Sequence, residues 1–118
     1  MRIGNIAIDC NDLDAMKAFW SRLTGYSELY GEEGFAILGN PEKMGWTKLF
    51  IQKVPEPRVG KNRLHIDLYV PDREAAAAEV EAAGGSRVAE HDNGLARWLI
   101  MADPEGNEFC LVEPPAGV

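Results

Sequence analysis

Cysteine is scarce in this chain, and its two cysteines have no motif spacing. Cys10 and Cys110 both lie in strand-like stretches, and no C-x-x-C pair occurs. Thiol-redox chemistry therefore has no support in the sequence. We expect two reduced, buried thiols, with a disulfide or a redox pair as the alternative.

Other features are also missing. No stretch approaches the roughly 18 consecutive apolar residues of a membrane span, and the opening MRIGNIAIDC has no signal-peptide core. Glycine-rich phosphate loops and G-x-S-x-G are absent, so nucleotide binding and acyl-serine chemistry lack support. We expect a cytoplasmic protein with no membrane partner.

Basic residues are fewer than acidic ones in this chain. Nineteen acidic residues outnumber twelve basic ones, which gives a net charge of -7. This charge repels phosphate backbones and anionic membranes, and it argues against nucleic acid as a partner. It also suits a cationic ligand, although most acidic domains are simply soluble.

The chain contains enough residues for one domain, and one pattern in it occurs twice. Its 118 residues, 46% of them hydrophobic, suffice for one core and are too few for two ordinary independent domains. A shift of sixty residues places segment 5–25 over segment 65–85 without a gap. Both segments begin as an alternating strand and continue as an amphipathic helix after Asp12 or Asp72, which are placed to cap it.

Three further strand candidates follow each helix, separated by turn-forming stretches such as GEEG and DPEGN. The sequence therefore predicts a single α+β domain of two β-α-β-β-β modules, residues 1–54 and 64–118, joined by a linker at 55–63. One helix covers only one face of a four-stranded sheet. The modules should therefore pair into a curved mixed sheet around a cavity that holds the site.

With these modules the whole chain resembles the vicinal oxygen chelate superfamily, which includes glyoxalase I, extradiol dioxygenases, and fosfomycin and bleomycin resistance proteins. The resemblance rests on the paired modules, on NDLDAMKAFWSRLTGY after the first strand and on ADPEGNEFCLVEP near the end. It implies the glyoxalase/bleomycin resistance fold. It does not decide the reaction, because one scaffold hosts isomerases, dioxygenases, transferases and pure binders.

The resemblance also implies four places for metal ligands, in the first and last strands of each module. The family pattern has His or Gln, Glu, His and Glu there, whereas this chain has Asn5, Phe50 or Gln52, His65 and Cys110. A phenyl ring donates nothing and an amide is a feeble ligand. A zinc ion at His65 and Cys110 would still need a third protein ligand for catalysis. We therefore expect no metal cofactor, with a divalent metal as the alternative, and Cys110 as a small apolar filler.

Strand alternation predicts the wall of the cavity, since residues two apart point the same way. His65 and Asp67 share a strand face, and they are the catalytic candidates because a carboxylate can hold an imidazole as its cation or fix its tautomer. A half-buried histidine bonded to a backbone carbonyl is the alternative. We expect His91 in an exposed turn. The predicted ligand-binding residues are Asn5, Asp9, His65, Asp67, Tyr69 and Cys110.

Three functions from different classes remain open. The first is a small-molecule binder that acts without metal or chemistry, as in the resistance proteins that the chain resembles. The second is a lyase or isomerase that uses His65 with Asp67 or Asp9 as acid and base. The third is a divalent-metal-dependent lyase or dioxygenase. A small-molecule ligand is the expected partner, and the resemblance implies a homodimer.

Overall fold

The chain divides into two units, Met1–Arg58 and Val59–Val118, and the computed structural model describes residues 2–92, 94 and 97–113. The first unit contains a four-stranded sheet in the order β1-β4-β3-β2. Strands β1 and β4 are parallel, whereas the β4–β3 and β3–β2 pairs are antiparallel. Its elements are β1 (Asn5–Cys10), α1 (Leu13–Thr24), β2 (Ser27–Glu32), β3 (Phe35–Gly39) and β4 (Lys48–Lys53).

The second unit has the same arrangement, with a sheet in the order β5-β8-β7-β6. Strands β5 and β8 are parallel and the other pairs are antiparallel. The predicted α+β fold class is therefore confirmed, as two four-stranded mixed sheets with helices. The elements are β5 (Asp67–Tyr69), α2 (Arg73–Ala82), β6 (Ser86–Asp92), β7 (Arg97–Ala102) and β8 (Glu108–Glu113).

Both helices begin at the predicted aspartates. The Asp12 carboxylate accepts a hydrogen bond from the Ala15 N–H at 3.1 Å, and Asp72 accepts from the N–H groups of Glu74 and Ala75. Each aspartate thus satisfies backbone donors that a helix start leaves unpaired. At the other end of α1, Gly25 adopts a left-handed φ of 74°, a conformation that glycine tolerates best.

Each helix covers one face of its own sheet. Helix α1 packs against β2, β3 and β4, and α2 packs against β6, β7 and β8. The side chains beneath the helices are buried, including Trp20 at 1% exposure, as expected for an amphipathic helix. Alternate strand residues point to the opposite face, which carries no helix within the described residues of either unit. Neither helix is long and apolar enough to cross a bilayer, at 12 and 10 residues.

The DPEGN turn between β7 and β8 is held by one buried carboxylate. Asp103, 3% exposed, accepts hydrogen bonds from the N–H groups of Glu105 and Asn107 and from the Asn107 amide. These bonds satisfy the buried charge. They also fix the start of β8, the strand that carries Cys110.

The structure differs from the sequence-based prediction at two places. Strand β5 begins at Asp67 instead of His65, although the Cys110 N–H still donates to the Ile66 carbonyl at 2.8 Å. His91 lies in β6 and not in a turn, because antiparallel pairing with β7 continues to Asp92. The first two residues of the predicted strand LARWLIM, 95 and 96, lie outside the described residues.

The alternation of buried and half-buried residues along β7 leads to a stability prediction. Leu99 is 1% exposed beneath α2, whereas its neighbour Ile100 is half-buried on the other face. Leu99→Ala should lower the free energy of unfolding by about 2 to 5 kcal/mol, and Ile100→Ala by roughly 1 kcal/mol. Urea unfolding of the two variants measures both values. Equal losses would contradict the assignment of the two faces.

Candidate functional site

Cross-strand pairing arranges the helix-free face of the second sheet in two transverse rows. Because paired residues point to the same face, each row joins side chains from four strands. The first row is Asp67, Cys110, Ile100 and Ala89, and the second is Tyr69, Val112, Trp98 and His91. We call these eight residues, with His65 and Glu108, the second-sheet face.

Three predicted site residues come together on this face. The Nε2 atom of His65 lies 3.3 Å from Oδ1 of Asp67, and both side chains are about half exposed, at 55% and 48%. Ligand atoms of His65, Asp67 and Cys110 all lie within 4.8 Å of one another. The imidazole, the carboxylate and the thiol therefore form one cluster. Asp67 contacts Nε2 of the imidazole, so Nδ1 is the ring nitrogen that this carboxylate does not contact.

The thiol of this cluster is held in its neutral form. Burial raises the pKa of Cys110 to about 11, and the charge of Asp67, a hydrogen bond to that carboxylate and the charge of Glu108 act in the same direction. Each of these effects disfavours a thiolate. At neutral pH Cys110 is therefore a neutral thiol with very little nucleophilic character.

A pocket of about 120 Å³ opens beside the cluster. It has an aromatic and aliphatic wall and a polar rim, which is the usual composition of a small-molecule site. The rim includes two residues from the predicted linker, Lys61 and Asn62, which the sequence analysis did not single out. The lining residues are Lys61, Asn62, His65, Trp98, Ile100, Glu108, Phe109 and Cys110.

Trp98, which lines the pocket, belongs to a stacked pair that was not predicted from the sequence. The rings of His91 and Trp98 have centroids 5.4 Å apart and planes 23° apart. The two residues are directly opposite in the antiparallel β6–β7 pair, which brings their side chains into contact. His91 therefore supports the indole that lines the pocket, instead of standing alone in a turn.

A buried arginine next to β6 was also not identified from the sequence. Arg73, 6% exposed, donates to the Glu90 carboxylate at 2.8 Å and to the His91 carbonyl at 3.3 Å. Its backbone N–H donates to Glu113 at 2.7 Å. The residue thus ties the start of α2 to β6 and β8, and it holds the backbone of His91.

The other predicted site residues are Tyr69 in the second unit and Asn5 and Asp9 in the first. Tyr69 is exposed on β5, and it does not line the pocket. Asn5 and Asp9 are exposed on β1 in the first unit, on the helix-free face of its sheet. Their assignment to a ligand site stays a prediction.

The donors at the four implied metal places fit poorly with an ion that prefers six oxygen ligands. In the first unit Phe50 has no donor atom, and its ring stacks on Phe35 at 5.2 Å. In the second unit, Asp67 supplies the third ligand atom that His65 and Cys110 were expected to lack. Such a nitrogen, oxygen and sulfur set suits zinc with an open position better than ions that prefer oxygen.

Residues 5–112 match the sequence profile of a family described as "Glyoxalase-like domain". The match spans the β1-to-β8 core of both units, including every predicted site residue. No curated protein matches the chain significantly in sequence.

Solved structures share the fold at low sequence identity. A glyoxalase/bleomycin resistance protein/dioxygenase family enzyme from Burkholderia phytofirmans has a TM-score of 0.79 at 19% identity, covering 96% of this chain and 98% of that one. The fosfomycin resistance protein FosX from Listeria monocytogenes has a TM-score of 0.77 at 15% identity, covering 98% and 95%. A FosX variant from that organism, complexed with Mn(II) and 1S,2S-dihydroxypropylphosphonic acid, has a TM-score of 0.79 at 14% identity, covering 98% and 91%.

The raised pKa of Cys110 predicts how its alkylation depends on pH. Only the thiolate reacts with iodoacetamide, so the rate at Cys110 should rise about tenfold per pH unit from pH 8 to 10. The rate should level off only near the pKa of about 11. Peptide mapping by mass spectrometry separates this thiol from Cys10. A plateau near pH 9 would show that burial and the carboxylates do not disfavour the thiolate.

Proposed function

Because the chain belongs to the glyoxalase-like domain family, we propose that it binds a small organic molecule in the pocket beside His65, without a divalent metal. The main support for this proposal is that an aromatic wall and a polar cluster meet at one pocket. Trp98 offers an apolar surface, and the His65–Asp67 pair offers polar atoms that orient a ligand. Sites of this composition bind small molecules by apolar burial and gain specificity from a few polar contacts.

The volume of the pocket limits the part of a ligand that it holds. An apolar cavity of about 150 Å³ holds one benzene ring, and this pocket has about 120 Å³. It therefore suits one ring or a short chain of similar size. Lys61 and Asn62 stand at the rim, where they can donate hydrogen bonds to an oxygen atom of the ligand.

Contacts within the cluster support the metal-free form. Asp67 is engaged by His65 at 3.3 Å and by the Cys110 thiol. A metal ion would have to displace the thiol proton, because thiolates and not thiols are ligands, and with a pKa of about 11 this is costly at neutral pH. Of the two alternatives for the implied ligand place in the first unit, Phe50 offers no donor atom and Gln52 offers only an amide, which is a feeble ligand.

Zinc at the cluster is a second candidate, and one observation favours it. The ligand atoms of His65, Asp67 and Cys110 lie within 4.8 Å of one another, so these three residues would hold the ion. Zinc would supply Lewis-acid chemistry and an activated water there. One equivalent of zinc should then protect Cys110 from alkylation, whereas the metal-free proposal expects no protection.

Acid–base catalysis is a third candidate, favoured by the orientation of His65. Asp67 contacts Nε2 and fixes the ring, which leaves Nδ1 to accept a proton from a substrate. Such a site would catalyse a proton abstraction or an elimination, as a lyase or an isomerase does. Turnover of a bound ligand separates this activity from simple binding.

We also propose that the chain forms a homodimer in the cytoplasm. Both cysteines are buried and neither forms a disulfide, as the sequence predicts, and reduced thiols suit a reducing compartment. A cyclic dimer is the commonest assembly of small soluble proteins. Sedimentation should therefore give a mass of about twice the 13.0 kDa of one chain, and a monomer at all concentrations would contradict the proposal.

Substitutions in the cluster test the proposed site. Monocyclic fragments found by ligand-observed NMR should lose at least about tenfold in affinity for His65→Ala and Asp67→Asn, because a charged or polar contact is removed. Asp14→Asn is the matched control, since this aspartate is 95% exposed on α1 in the first unit. Thermal melts check that all three variants fold. Unchanged fragment affinity in both His65→Ala and Asp67→Asn would contradict the proposal.

A further inference from the structure

The helix-free face of the first sheet has its own chemistry. Cross-strand pairing arranges it, like the second, in two transverse rows. One row is Ala7, Phe50, Ile37 and Tyr30, and the next is Asp9, Gln52, Phe35 and Glu32. We call these eight residues the first-sheet face. Within the described residues, it contains neither histidine nor cysteine, and its main feature is a group of three aromatic rings.

The three rings form a continuous aromatic surface over β2, β3 and β4. Phe35 lies in the middle, with its centroid 5.2 Å from that of Phe50 and the ring planes 22° apart. On the other side, the Tyr30 ring is 5.8 Å from Phe35 and tilted by 33°. Tyr30 is 53% exposed, and both phenylalanines are half-buried. Solvent therefore reaches aromatic surface on three neighbouring strands.

Two carboxylates stand at the ends of the row that contains Phe35. Asp9 and Glu32 are both exposed, and within the described ranges neither forms an ion pair with a lysine or an arginine. The Tyr30 hydroxyl donates to Glu32 at 2.8 Å. This hydrogen bond raises the pKa of Tyr30 above its usual value, so the phenol keeps its proton and stays bonded to Glu32.

Strand β4 carries two lysines, of which Lys48 shares the face of Phe50, whereas Lys53 points to the helix side by alternation. Lys48 is paired with Asn5, two residues before Phe50, and its Nζ donates to the Met44 carbonyl at 2.7 Å. The ammonium is thus directed to the loop that precedes β4. The carboxylates of Asp9 and Glu32 therefore dominate the charge next to Phe35.

We propose that the first-sheet face binds a small organic cation, with the positive group over the rings and with the two carboxylates at the ends of the row adding longer-range attraction. A cation within about 6 Å of an aromatic centroid is attracted by the negative face of the ring. A quaternary ammonium suits this surface because it is poorly hydrated and needs no hydrogen-bond acceptor. The net charge of -7 also attracts cations to the protein. This site is on the first unit, and it does not depend on the function proposed for the second.

Titration with benzyltrimethylammonium chloride, followed by amide chemical shifts, tests the proposal. Saturable shifts should appear at Ala7, Ile37 and Phe50, with a dissociation constant of roughly a millimolar, as expected for a small ligand on an open surface. Benzyl alcohol and benzenesulfonate carry the same ring without the positive charge. Both should bind at least about threefold more weakly, because the cation–π and ionic attractions are lost.

Variants separate the charge from the apolar surface. Asp9→Asn and Glu32→Gln should each weaken benzyltrimethylammonium binding by about twofold to fivefold, which is the range for one exposed charge pair. Phe50→Leu should weaken it by a similar factor, through the lost ring. Glu28→Gln is the matched control, because Glu28 lies on β2 but points to the helix side, where it pairs with Lys17 at 2.9 Å.

Several outcomes would overturn the proposal. Benzyl alcohol binding as tightly as the cation would show a merely apolar face. Equal weakening by Glu28→Gln would show only a diffuse effect of net charge. Shifts at Phe50 that follow protein concentration and not the probe would show a contact between copies of the chain. Binding that is unchanged in His65→Ala but is weakened by about twofold to fivefold in Asp9→Asn would support the first-sheet face, independently of the pocket in the second unit.

Discussion

The alternation of side chains along a strand is the constraint on which this structure depends. A strand sends successive residues to opposite faces, and each unit has one helix to cover one face of its sheet. The apolar half of each strand, such as Leu38 and Ile51 at 0% exposure, therefore packs beneath a helix. The other residues of each strand do not pack beneath a helix, so packing against a helix does not restrict their identity. The predicted ligand-binding residues stand on such a helix-free face, with His65 just before β5.

The two helix-free faces use equivalent positions for different chemistry. Phe50 is paired with Ala7 in the parallel β1–β4 pair, and Cys110 is paired with Asp67 in the parallel β5–β8 pair. In the first unit, this place extends an aromatic surface. In the second, it completes a polar cluster with a neutral thiol. Family membership and the shared fold do not decide between such chemistries, because the scaffold tolerates both.

The elements of the fold are predictable from the sequence because they depend on local patterns. Alternation marks the strands, Asp12 and Asp72 mark the helix starts, and Gly25 marks a helix end. The parity of β1 and β5 also follows from alternation. The site is less predictable, since it depends on which residues of separate strands lie side by side.

The stacked His91–Trp98 pair on the second-sheet face shows why the site is harder to predict from the sequence than the fold. Pairing of β6 with β7 shifts at a bulge between Arg87 and Ala89, and one extra residue moves all later side chains to the other face. His91 pairs with Trp98 only because of that shift in register, and no local sequence pattern predicts the shift. The buried Arg73 is similar, since its partners Glu90 and Glu113 are distant in the chain.

The central claim is that the His65 cluster serves an organic ligand and not a metal ion. Crystals of protein purified without chelator, measured at the zinc absorption edge, test it most directly. The account predicts electron density for an organic molecule or solvent beside Trp98, with no anomalous peak near Asp67. A strong anomalous peak bonded to His65 and Cys110 at about 2.0 to 2.3 Å would contradict it.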